Sequence, residues 1–257
     1  MNLDGLDPAI LVPALLAGLL VLSTHVPLGR EVLSRGIIFI DLAIAQIAVL
    51  GVVVATTLGL EEGGVIVQLA AAASALVGAV LLNWSEKRWP QIQEALIGTT
   101  FVLAATGSLL VLHSNPHGAE HMTQLLSGQI LWVSYRDLIP VAVLYVGILL
   151  FWFMPQRRSR AWFYLLFALA VTMSVQLVGV YLVFTSLIVP ALSARSINGR
   201  RGLIVGYMVG ATGYVLGLLV SAVFDLPSGP MIVWMLALVA LVKSRISQTD
   251  LKSVNAN

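Results

Sequence analysis

Long apolar runs separated by short polar clusters dominate this chain. A helix needs about 20 apolar residues, with a range of roughly 17–25, to cross the hydrocarbon core of a bilayer. On that measure the pattern predicts nine crossings, at 9–26, 36–58, 64–83, 95–112, 138–154, 161–177, 178–194, 203–223 and 229–242. The run 161–194 is long for one helix and short for two. It is divided near Gly179 because the charges flanking it otherwise break the topology; undivided, one half becomes a re-entrant or interfacial piece. The first run is followed by further spans with no small-residue cleavage site between, so it reads as a crossing rather than a removable signal. The expected fold is all-α: a polytopic membrane protein with about eight or nine transmembrane helices in a single membrane domain, 1–257.

Composition agrees and narrows the function classes. The chain is 59% hydrophobic and 10% charged, with a mean hydropathy of +0.96. A soluble domain carries roughly 25% charged residues, so this chain cannot cover a water-soluble surface. A soluble enzyme, a nucleic-acid module and a disordered chain are excluded. The absence of cysteine removes disulfides, thiolate metal sites and thiol catalysis. No G-x-x-x-x-G-K-[ST] run is present, so ATP, if used, must be bound by another chain.

Charge placement predicts orientation. With the N-terminus outside, the inner segments are 27–35, 84–94, 155–160, 195–202 and the tail after 243. Of the 14 Lys and Arg, all but Arg136 then fall inside, as cytoplasmic loops require. Asp4, Asp7, Glu61, Glu62, Glu120 and Asp225 fall outside. The expectation is N-terminus out and C-terminus in, in a bacterial cytoplasmic (inner) membrane.

Within the spans the single formal charge is Asp41. A mid-membrane carboxylate costs about 2.5–3.5 kcal/mol on insertion scales and is usually retained for function. At about 1.5 Å per residue, Asp41 sits roughly 8 Å into its span. There, water or a neighbour such as Arg35 could relieve it, so Asp41 is a pathway candidate or a structural hydrogen-bonding group. Gln46, nearer the midplane, is a second pathway candidate, or a helix–helix hydrogen-bonding residue. His113, His117, Glu120 and His121 cluster in the outer loop HSNPHGAEHM. Imidazole and carboxylate are good ligands for zinc, so the cluster is a candidate metal entry or sensing site, or else a hydrated docking loop. His25, beside Pro27 at the inner end of the first span, reads as an interfacial structural residue. Gly206, Gly210, Gly213 and Gly217 form a small-residue face suited to close helix approach. Trp84, Trp89, Trp132, Trp152 and Trp162 lie near span ends, as interface anchors do.

Five segments together carry a resemblance. They are HVPLGREVLSRGIIFIDLAIAQIAVLG at 25–51, EALIGTTFVLAATG at 94–107, QLLSGQILWVSYRDL at 124–138, GVYLVFTSLIVPALSAR at 179–195 and DLPSGPMIVW at 225–234. Their order and spacing resemble the permease subunit of zinc/manganese-type ABC importers across nearly the whole chain. The resemblance implies a non-catalytic homodimer around a translocation path. A cytoplasmic ATP-binding subunit would dock below it and an extracytoplasmic solute-binding protein above. It also implies that Pro190, Ala191, Ala194, Arg195, Arg200 and Arg201 form the element coupled to the ATPase. No cofactor is expected in this chain itself; the divalent metal is cargo, and nucleic acid is not a partner.

The sequence departs from that family at informative positions. Its permeases usually carry Asp and His four residues apart in the second span, about 40° apart around a helix. Aligned without gaps, Leu42 takes the Asp position and Gln46 the His position, while Asp41 falls one residue early. Asp41 and Gln46 are about 140° apart around the helix, poorly placed to close on one ion. An amide oxygen is also a weaker ligand for zinc than imidazole or carboxylate. A His often found in the fourth span is replaced by Val102 or its neighbours. The cytoplasmic segment after the fifth span is shortened to PQRRSR. The leading expectation is an ABC importer permease for zinc, manganese or iron. The alternative is an ion-coupled secondary transporter with Asp41 as its cation or proton site.

Overall fold

The computed structural model describes residues 7–61, 64–112, 126, 130–154 and 160–254, with side chains as far as 245. Among the described residues nine α-helices follow one another: α1 (Pro8–Arg35), α2 (Ile40–Thr57), α3 (Val65–Arg88), α4 (Gln93–Leu112), α5 (Tyr135–Trp152), α6 (Arg160–Val178), α7 (Val180–Ser193), α8 (Gly199–Phe224) and α9 (Ser228–Val254). No strand occurs among the described residues. Eight of these helices are long and apolar enough to cross a membrane, and α7 is not.

The first helix overruns its predicted span. Asp7 caps it, accepting from the Ala9 N–H at 2.8 Å, and Pro8 occupies the first helical position, where its missing N–H costs nothing. The helix then passes through Pro27 to Arg35 and ends at Gly36, which adopts the left-handed conformation at φ 69°. Proline inside a helix leaves the carbonyl four residues back without its donor. Here that carbonyl is Ser23, and the Tyr207 hydroxyl of α8 donates to it at 2.9 Å. A partner from another helix is what makes a mid-bundle proline tolerable in lipid. The predicted inner loop 27–35 is therefore helix, and His25 lies fully buried rather than at an interface. Its Nδ1 lies 3.0 Å from the Val21 carbonyl and 3.1 Å from the Thr24 hydroxyl.

The division near Gly179 is present, but the second half is shorter than a crossing. Gly179 has φ 82°, in the left-handed region open to glycine. It also stands just ahead of the first residue of α7. Near its start α6 lies beside the end of α1, where the Arg35 guanidinium sits 4.2 Å from the centre of the Phe163 ring. α7 ends beside the same end of α1, where a Cβ on Gly29 would lie 3.2 Å from Ala191 Cβ. The chain therefore reverses at Gly179, and both flanking valines, Val178 and Val180, are buried. With 14 residues, α7 is about 21 Å long, short of the roughly 30 Å hydrocarbon core. The predicted crossing at 178–194 becomes one arm of a buried helical hairpin.

Packing sorts the helices into two groups. α2 packs on α3 and α4; α1, α7, α8 and α9 form the other group; α6 lies between, against α2, α3 and α1. The glycine face of α8 serves two neighbours. A Cβ on Gly206 or Gly210 would meet Val26 or Leu22 of α1, and one on Gly213 or Gly217 would meet Leu236 or Ile232 of α9. These contacts run in opposite sequence order, so α8 is antiparallel to both. Outward-facing side chains such as Leu110 and Val143, 76% and 70% exposed, form the face that lipid would cover.

Candidate functional site

A cavity of ≈700 Å³ opens between the two groups. Its walls are Leu42 and Gln46 of α2, Phe101, Ala105 and Leu109 of α4, Val180, Tyr181, Phe184 and Thr185 of α7, Pro230, Val233 and Trp234 of α9, and Leu126. The short helix α7 thus supplies one side of it. Polar groups are few: the Gln46 amide, the Tyr181 hydroxyl and the Thr185 hydroxyl, which donates to the Tyr181 carbonyl at 2.8 Å. Gln46 is 3% exposed and its Oε1 accepts no hydrogen bond. An amide oxygen without a donor in an apolar cavity can accept from a cargo's hydration shell or coordinate a cation weakly.

Leu42 and Gln46, four residues apart, face the cavity together, whereas Asp41 is not among its lining residues. Because α2 starts at Ile40, Asp41 stands in its first turn rather than several residues into a span. It is nevertheless 1% exposed, and neither carboxylate oxygen has a hydrogen-bond partner. The backbone N–H groups at the start of a helix lack intrahelical partners and favour an acidic side chain in the first turn. Arg35 does not supply the expected relief: it pairs with Glu31 at 2.8 Å and covers Phe163. The structure therefore places Gln46 on the cavity wall and Asp41 away from it.

His113, His117, Glu120 and His121 lie outside the described residues. Among the described residues no group of three or more His, Cys, Asp or Glu could hold a metal.

The expected coupling residues separate into a buried and an exposed set. Pro190, Ala191 and Ala194 are buried, while Arg195, Arg200 and Arg201 are exposed. Pro190 does not end its helix: α7 continues through it to Ser193. A turn over 194–198 then leads directly into α8, so most of the predicted loop 195–202 is turn and first helical residues. The three arginines are the part of this element that a partner can touch. Sequence reasoning missed three residues that hold this end of the bundle, Arg30, Lys243 and Tyr207. Their partners are 50 to 184 residues away, and no local pattern marks such pairs.

Comparison with known proteins matches this architecture. The profile of the ABC 3 transport family matches residues 7–161 and 154–247. The high-affinity zinc uptake system membrane protein of Haemophilus influenzae is 24% identical over 87% of this chain and 92% of its own. A probable metal transport system membrane protein of Chlamydia muridarum is 24% identical over 90% of this chain and 86% of its own. Among solved structures, PsaBC from Streptococcus pneumoniae in complex with Fab shares the fold with a TM-score of 0.75 and 22% identity, covering 95% of each chain. With the family profile spanning nearly all of its helices, this chain belongs to the ABC 3 transport family and is a multi-pass permease subunit of that family.

Proposed function

We propose that this chain is the membrane half of an importer for a divalent transition metal. ATP is hydrolysed by a separate cytoplasmic subunit, and cargo is delivered by an extracytoplasmic solute-binding protein. The observation that carries this reading is the family match over 7–161 and 154–247, together with a relative whose name specifies zinc uptake. Two copies would enclose the path, each contributing the wall that bears Gln46. The basic end, with Arg195, Arg200 and Arg201, faces the cytoplasm of a bacterial inner membrane, in keeping with the retention of Lys and Arg on that side. Asp41 stands beside the route, not on it. ATPase closure shifts the permease between two states of different affinity for cargo.

The test uses cells lacking the gene, complemented with the native chain, and compares two energy sources. The proposal expects zinc, manganese or iron uptake to stop when the partner ATPase carries a disabled P-loop lysine, and to continue when an ionophore collapses the ion gradients. The ion-coupled carrier reading requires the reverse, with Asp41→Asn abolishing uptake. That reverse pattern would reject the importer reading.

A further inference from the structure

We propose that Arg30 and Lys243 are positioning residues that lock the α7–α8 turn to α1 and α9, so that ATPase movement at the turn reaches the walls of the path. The inference rests on the reading of 190–201 as the ATPase-facing element.

The accounting of backbone carbonyls around this turn carries it. A helix leaves its last carbonyls without partners, and the groups that satisfy them decide what the turn is tied to. The Pro190 carbonyl accepts from the Ser193 hydroxyl at 2.7 Å. Those of Ala191, Leu192 and Ala194 accept from the N–H groups of Ala194, Arg195 and Ile197. Three further carbonyls are held from outside the turn. Lys243 Nζ of α9 donates to Ser193 O at 2.6 Å. Arg30 of α1 donates from Nη2 to Ile197 O at 2.9 Å and from Nη1 to Gly199 O at 3.0 Å.

The guanidinium fork thus bridges the last part of the turn and the start of α8, a geometry a single ammonium cannot reproduce. Gly202 provides its passage: a Cβ there would lie 2.4 Å from Arg30 Nη1 and 2.2 Å from Ile197 O. The turn is therefore tied to one helix of the bundle on each side. α1 also presses directly on α7, where a Cβ on Gly29 would meet the Leu187 carbonyl at 2.0 Å. α9 carries Pro230, Val233 and Trp234 to the cavity. A push on the exposed arginines cannot move the turn alone while these bonds hold. It must carry α1 and α9 with it, and α9 lines the path.

The test is the ratio of metal ions moved to ATP hydrolysed, measured on the assembled complex with its ATPase in proteoliposomes. Arg30→Ala should leave co-purification with the ATPase and basal hydrolysis within about twofold, while the ratio falls at least tenfold. Arg30→Lys, able to hold one carbonyl, should lie between, and Lys243→Met should lower the ratio as well. A residue that merely stabilises the fold would lower assembled protein but leave the ratio in the survivors unchanged. That result in Arg30→Lys and Lys243→Met, which keep the side-chain volume, would overturn the proposal even if Arg30→Ala fails to assemble. Cross-linking of Arg200→Cys to the ATPase checks the underlying reading, in a chain otherwise free of cysteine. No cross-link sinks the coupling element itself, and with it this proposal; a cross-link with an unchanged ratio sinks the brace alone.

Discussion

Tyr207 and Pro27 should be energetically coupled although they lie on different helices. Pro27 leaves the Ser23 carbonyl without an intrahelical donor, and the Tyr207 hydroxyl supplies one at 2.9 Å. Removing that hydroxyl with Tyr207→Phe strands the carbonyl in a half-buried site. Interhelical hydrogen bonds in membrane proteins average about 0.6 kcal/mol and reach about 1.7, while an unsatisfied buried polar group costs about 1–3 kcal/mol. Between these figures, a loss near 1 kcal/mol is expected, roughly fivefold in the unfolding constant. In a Pro27→Ala background the new N–H at position 27 can take the Ser23 carbonyl. Tyr207→Phe should then cost about 0.3 kcal/mol or less. The assay is equilibrium unfolding in mixed micelles against graded detergent, followed by tryptophan fluorescence for all four members of the cycle. Equal losses in both backgrounds, within the roughly 0.3–0.5 kcal/mol expected of independent sites, would refute the reasoning. The helix would then pass Pro27 for some other cause.

Four further outcomes follow from the packing and the site. Gly217→Ala would place a Cβ 2.5 Å from Ile232 Cα and should cost about 1–3 kcal/mol as overpacking; Gly147→Ala, with open space around it, should be neutral or stabilising by up to about 1 kcal/mol, both read by thermal unfolding in detergent. In uptake competition among zinc, manganese and iron, Gln46→Leu should change the preference order because Gln46 faces the cavity. Asp41→Asn should change the rate by less than about threefold and leave the order intact; a changed order would put Asp41 on the route.

The bundle was legible in the sequence because lipid imposes one simple demand, a long apolar run for each crossing. The division at Gly179 was legible too, but not its consequence. Hydropathy reports how apolar α7 is, not that its 14 residues turn back inside the bundle. The reach of α1 was misjudged for a related reason: Pro27 and the charges after it mark a helix end unless a distant hydroxyl rescues the proline. At the site, the alignment that put Leu42 and Gln46 at the paired positions matched the face that lines the cavity. The span drawn from 36 begins as helix only at Ile40, which puts Asp41 in the first turn of α2. The ties from Arg30 and Lys243 were invisible, since a basic residue at a membrane boundary reads locally as a topology signal whether or not it holds a distant carbonyl.

Metal flux through the purified complex tests the central claim most directly. The permease, its ATPase and its solute-binding protein would be reconstituted in liposomes, and entry of zinc, manganese and iron followed with an encapsulated chelating dye. The account predicts accumulation of at least one of these ions that needs both ATP and the binding protein. Flux that proceeds without ATP, or none of the three ions moving while ATP is hydrolysed by a fully assembled complex, would contradict it.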